Sequence, residues 1–126
     1  MLIDWNGLNY IAIIIGGFLY MIYGAVYYSI LLSSKKGNQD SGPIKYVVSV
    51  IIAFISSFFM ATIIQASGSE GIVEGLTIGF MVGVIISLVY LKNTLFGLVN
   101  KKSFIIAIGD HLIIFTLLGG LHGIMV

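Results

Sequence analysis

Residues 71–91 read GIVEGLTIGFMVGVIISLVYL, an apolar run in which Glu74 is the one charged side chain. At 1.5 Å per residue, a helix of this length spans the ~30 Å hydrocarbon layer of a bilayer. Hydrocarbon offers no partner to an exposed peptide group, so the run is predicted to be helical rather than extended. Gly71, Gly75, Gly79, Gly83 and then Ser87 recur every four residues, which places them along one face of the helix. A glycine-zipper stripe of this kind lets a neighbouring backbone come close, and close approach is what holds helices together in lipid.

Working outward, three further apolar runs cover residues 8–32, 44–66 and 103–126. With 71–91 they predict an all-α membrane protein, a single domain over residues 1–126 whose four transmembrane helices form a compact bundle. Composition agrees. Of 126 residues, 59% are hydrophobic and 9% charged, and mean hydropathy is +1.11; a water-soluble domain has about a quarter charged residues. The first run is expected to be a retained anchor rather than a cleaved leader, because Asp4 and Trp5 stand where a basic segment should precede a leader. The absence of cysteine excludes disulfides and thiol chemistry. The few histidines and carboxylates lack zinc-motif spacing, so neither metal nor cofactor is expected. The net charge of +1 gives no reason to expect nucleic acid as a partner. The expected surroundings are the lipid bilayer.

The placement of the lysines sets the orientation. Lys35, Lys36 and Lys45 flank the first connection, and Lys92, Lys101 and Lys102 flank the third. The two ends of the chain and the 67–70 turn carry neither lysine nor arginine. Connections one and three are therefore predicted to be cytoplasmic, with both termini outside. Trp5 and Tyr10 would sit at the outer interface, and Tyr28, Tyr46 and Tyr90 at the inner one. The expected location is the cell membrane of a bacterium or archaeon, crossed several times. Residues 93–102 read either as a segment along the membrane surface or as an extension of the third helix.

Smaller ladders accompany the main one: Ser49, Ala53, Ser57, Ala61 and Gln65 in the second helix, and Gly119, Gly120 and Gly123 in the fourth. Two readings stay open. The ladders pack the four helices of one chain together, or the third helix carries a homo-oligomeric interface. Ser67 and Glu70, three apart, are expected to cap the start of the third helix reciprocally, and Glu74 suits its dipole.

Chemistry concentrates in the fourth helix. Asp110 lies ~10 Å inside its cytoplasmic end, where a charge costs roughly 2.5–3.5 kcal/mol near mid-bilayer. Such a group must be protonated, paired or hydrated. Adjacent helical residues diverge, so His111 looks elsewhere; it shares a stripe with Phe115, Leu118 and His122. Imidazoles change charge near neutral pH, so Asp110, His111 and His122 are candidates for a proton or cation path. The alternative is polar glue between helices. Tyr20, Tyr23 and Tyr27 line one side of the first helix and are expected to supply the donors that these groups need.

Two segments carry a family resemblance. The first helix has Asn9-Tyr10 and later Gly24-Ala25-Val26-Tyr27-Tyr28-Ser29, and the fourth has Gly109-Asp110-His111 followed by Gly119 and Gly123. Together they resemble the family called domain of unknown function seventeen sixty-one, small four-helix bacterial membrane proteins. Its pattern is an early Asn-aromatic pair, a Gly-x-x-aromatic-Tyr-Ser-Pro segment and a Gly-Tyr-His in the last helix. The positions that match are Asn9, Gly24, Tyr28, Ser29, Gly109 and His111. Ile30 stands where the pattern has proline, Asp110 where it has tyrosine, and the first connection is shorter. The resemblance implies a fold and no role for these residues.

Function is ranked rather than read. The first expectation is a homo-oligomeric conduit or carrier for protons, ions or a small solute; the second is a non-transporting accessory subunit bound to another membrane protein. An enzyme is not expected, since no nucleophile–base pair, phosphate loop or metal cage is visible.

Overall fold

Local chemistry sets the helix ends. Asn9 precedes the first helix and its Oδ1 accepts from the Ala12 amide at 3.0 Å, a side-chain cap that starts α1 (Tyr10–Leu31) two residues later than hydropathy predicts. Ahead of it, Trp5–Gly7 form a 3-10 turn. α2 (Ile44–Ser67) ends in a tight turn where Gly68 and Gly71 have φ of 73° and 99°. The expected Ser67–Glu70 cap does not form there. The Ser67 hydroxyl instead donates to the Ile64 carbonyl at 2.8 Å, and the Glu70 amide donates to the Glu74 carboxylate at 2.9 Å.

α3 (Ile72–Leu95) runs four residues past the hydropathy boundary. It stops in a Schellman turn: Gly97, at φ 82°, donates to Thr94, and Leu98 donates to Asn93. The segment after residue 91 is thus chiefly helix, with a short connection at 96–100. Asn100 then caps α4 (Lys101–Ile124), its side chain accepting from the Ser103 amide at 2.8 Å.

This computed structural model describes residues 3–31 and 44–125. The first connection, with Lys35 and Lys36, and the final Val126 lie outside the described residues. All four helices are long and apolar enough to cross a membrane. The protein is a multi-pass membrane protein, and its apolar outer faces meet lipid.

Helices consecutive in the chain run antiparallel. One end of the bundle gathers residues 3–9, the 68–71 turn and the end of α4; the other carries Lys45, Lys92, Lys101 and Lys102. α4 is the central helix, touching each of the others, whereas α2 and α3 barely meet. The α3–α4 pair is the closest. Gly75, Gly79 and Gly83 are buried against it, and a Cβ on Gly75 or Gly79 would fall on the carbonyl oxygen of Gly119 or Phe115. Gly119 and Gly123 meet Gly71, Gly75 and Gly79 from the other side. Gly71 adds a hydrogen bond, its amide donating to the Gly123 carbonyl at 2.9 Å. Ser87 continues the row half-buried, its hydroxyl turned back to the Gly83 carbonyl.

Burial is uneven along the bundle. Among the described residues, the buried ones of α1 precede Phe18, and those of α2 begin only at Ala53. Met60, Ile114, Phe115 and Leu118 form the dry core. The bundle is thus closed toward the chain termini and splayed toward the lysines.

Candidate functional site

The splay leaves a cavity of about 1050 Å³ at the lysine end. α1 contributes Tyr20, Gly24, Tyr28 and Ser29; α2 contributes Lys45, Tyr46 and Ser49; α3 contributes Tyr90; α4 contributes Asp110 and His111. Spacings of four and eight bring Tyr20, Gly24 and Tyr28 onto one face of α1. Gly24 has open space where a Cβ would stand, so the cavity begins at its backbone.

Asp110 lies at the edge of this space, 6% exposed. The Tyr28 hydroxyl donates to its Oδ2 at 2.8 Å. His111 approaches the same oxygen, with Nε2 at 3.9 Å, while its Nδ1 sits 2.7 Å from the Ala107 carbonyl. A carbonyl can only accept, so Nδ1 carries a proton, and Nε2 is the ring nitrogen turned toward the carboxylate. The imidazole packs against the rings of Tyr90, 5.3 Å away, and Phe115, stacked at 6.2 Å. Among the described residues no third His, Asp or Glu joins the pair as a metal-ligand set. The Lys45 ammonium rests 5.1 Å above the Tyr46 ring.

The tyrosines expected to serve Asp110 do something else. Tyr27 donates to the Ile106 carbonyl at 2.7 Å, reaching it because Gly109 has no side chain in the way. Tyr23 stacks on Tyr27, and its hydroxyl is buried with no partner among the described residues. Tyr20 lies edge-on to Phe115. The donor is Tyr28, which the heptad-like spacing of 20, 23 and 27 passes over.

His122 is separated from His111 by the dry core. It is 3% exposed and its Nε2 lies 3.1 Å from Ser57 Oγ, which in turn donates to the Ile13 carbonyl at 2.8 Å. Gly16 makes this crossing possible, since a Cβ there would collide with Ser57 Oγ. Nearby, Asn9 Nδ2 donates to the Met125 carbonyl at 2.7 Å, and the Gln65 amide exchanges two hydrogen bonds with the Asp4 backbone, both at 2.9 Å. Ser57 belonged to a small-residue ladder in the sequence; nothing there marked it as a partner of histidine.

The model of a family described as "Protein of unknown function (DUF1761)" matches residues 11–123. The chain belongs to this family. No curated protein and no solved structure matches it. In this family member the pattern positions fall into two groups. Gly24, Tyr28, Ser29 and His111 line the cavity, and Gly109 makes room for Tyr27 beside it. Asn9, just ahead of the matched span, ties α1 to the end of α4.

Proposed function

We propose that this protein is a small carrier that takes up a proton, a cation or a small hydrogen-bonding solute through the lysine-end cavity, with that end in the cytoplasm of a bacterium or archaeon. The observation that carries the reading is the Asp110 carboxylate, buried at the edge of a cavity of about 1050 Å³ and held by Tyr28. It stands nine residues inside α4, ~14 Å from the helix start. Water in the cavity offsets the cost of a charge at that depth, which a lipid-facing position would not. Asp110 and His111 are the proton- or cation-binding pair, Tyr28 orients the carboxylate, and Ser29, Ser49, Tyr46 and Tyr90 offer hydrogen bonds to a solute.

The polar lining stops at Met60, Ile114, Phe115 and Leu118. A path across the membrane then requires α1–α2 to rock against α3–α4, as in alternating access. The chain is a binding and transport protein in this reading, not an enzyme. It acts as a homo-oligomer. The Gly75–Gly83 row is taken up by α4, so the faces that join copies are larger apolar ones on α1 or α2.

A second reading rests on a different observation, the near absence of contact between α2 and α3. A gap beside the cavity suits a helix of a partner membrane protein, and the chain would then be an accessory subunit.

Reconstitution separates the two. Proteoliposomes with the wild-type protein should show pH-dependent proton or cation flux, lost in Asp110→Asn and weakened in His111→Gln with both variants folded. An amide keeps hydrogen bonding but takes no proton near neutral pH. No flux above empty liposomes, with all three proteins folded, overturns the carrier reading and leaves the accessory one.

A further inference from the structure

At the end opposite the large cavity, His122 borders a second space, an open pit of about 40 Å³. Its wall includes Asn9 from the start of α1, Ala61 and Gln65 from α2, and Met125 after α4. Among the described residues no Asp, Glu, Lys or Arg lines it. The hydrogen bonds around His122 settle which of its nitrogens bears the proton. Ser57 has one hydroxyl proton and gives it to the Ile13 carbonyl, so toward His122 the hydroxyl can only accept. The proton of a neutral His122 is therefore on Nε2. Nδ1 is left as a lone-pair acceptor, with no partner among the described residues. His122 is itself among the residues that line the pit.

We propose that this pit is a water site that brings solvent from the terminal end of the bundle to Nδ1 of His122. A water needs about 10–15 Å³ of such space and two to four polar partners; the pit has the space, and His122, Asn9, Gln65 and Met125 are among the residues that line it. Nδ1 accepts one hydrogen bond. The second lone pair of the Met125 carbonyl and the second N–H of the Gln65 amide remain available after the bonds each already makes. α4 then carries two solvent-reached polar stations, Asp110–His111 from one end and His122 from the other. The dry layer of Ile114, Phe115 and Leu118 lies between them. This inference rests on the geometry around His122 and not on the carrier reading; it survives a protein that moves nothing.

The test is magnetic resonance on the full chain in lipid bilayers with ¹⁵N-labelled histidine. His111 carries a proton on Nδ1 and His122, as proposed, does not, so their signals differ, and His111→Gln fixes the assignment. The expected result is an unprotonated Nδ1 in His122 that receives magnetisation directly from water, a transfer lost in Ala61→Leu, which fills the pit. A proton found on Nδ1, or a folded wild-type protein with no transfer from water to that ring, overturns the proposal. So does a folded Ala61→Leu variant with undiminished transfer. If that variant does not fold, the wild-type spectrum decides alone.

Discussion

The Tyr28 hydroxyl lies 2.8 Å from Asp110 Oδ2 and donates to it, linking the lysine-end part of α1 to the middle of α4. The α1–α2 hairpin meets α4 chiefly in the closed half of the bundle, so this bond is a tie across the splayed half. Removing the donor leaves a buried carboxylate short of a partner, at a cost of about 1–3 kcal/mol. Tyr28→Phe should lower stability by that amount in detergent unfolding, and much less when Asp110 is already Ala, which has no acceptor to lose. Equal losses in both backgrounds would mean that the hydroxyl acts elsewhere.

The glycine row makes a prediction about packing. A methyl group at Gly79 would fall on the Phe115 carbonyl oxygen, whereas Gly24 has open space around it. Gly79→Ala should cost about 1–3 kcal/mol by overpacking, and Gly79→Ile should disrupt the fold. Gly24→Ala should be tolerated. Indistinguishable melting of the two alanine variants would remove the α3–α4 contact from the account.

Asn9 does two jobs, capping α1 and bonding the Met125 carbonyl. Asn9→Ser keeps the cap and cannot reach Met125; Asn9→Ala loses both. The expected order of stability is wild type, then Ser, then Ala, with each step about 1 kcal/mol. Hydrogen exchange at the end of α4 should rise in both variants. Protection of α4 unchanged in Asn9→Ala would show that the tie contributes nothing.

Orientation is tested by single cysteines, which report cleanly in a chain that has none of its own. Ser103→Cys should react only from the cytoplasm and Glu70→Cys only from outside. Ser69 looks equivalent to Glu70 in the sequence but is 6% exposed, so its thiol would be shielded from either side. Labelling of Glu70→Cys from the cytoplasm alone would invert the topology.

The sequence by itself determined that four helices cross a bilayer, close to where they begin and end, and that one face of α3 is built for close approach. These follow from length, hydropathy and four-residue spacing, each a property of a single segment. The helix ends that moved, at Asn9, Gly97 and Asn100, moved because capping bonds and not hydropathy stop a helix.

Only the tertiary structure decided which surfaces meet. In water, apolar residues mark the inside of a helix; in lipid, both its packed and its free faces are apolar, so the pattern carries no direction. Nothing in the α3 glycines named α4 as their neighbour. Likewise, spacing grouped Tyr20, Tyr23 and Tyr27 on one side of α1. The rotation of α1 about its axis and the splay of the bundle gave Asp110 to Tyr28 instead. Asp110 and His111 stood out early because a carboxylate in hydrocarbon is costly wherever it points. Their shared oxygen contact, and the separation of His122 by a dry core, depend on side-chain rotamers and helix crossings that no periodicity encodes.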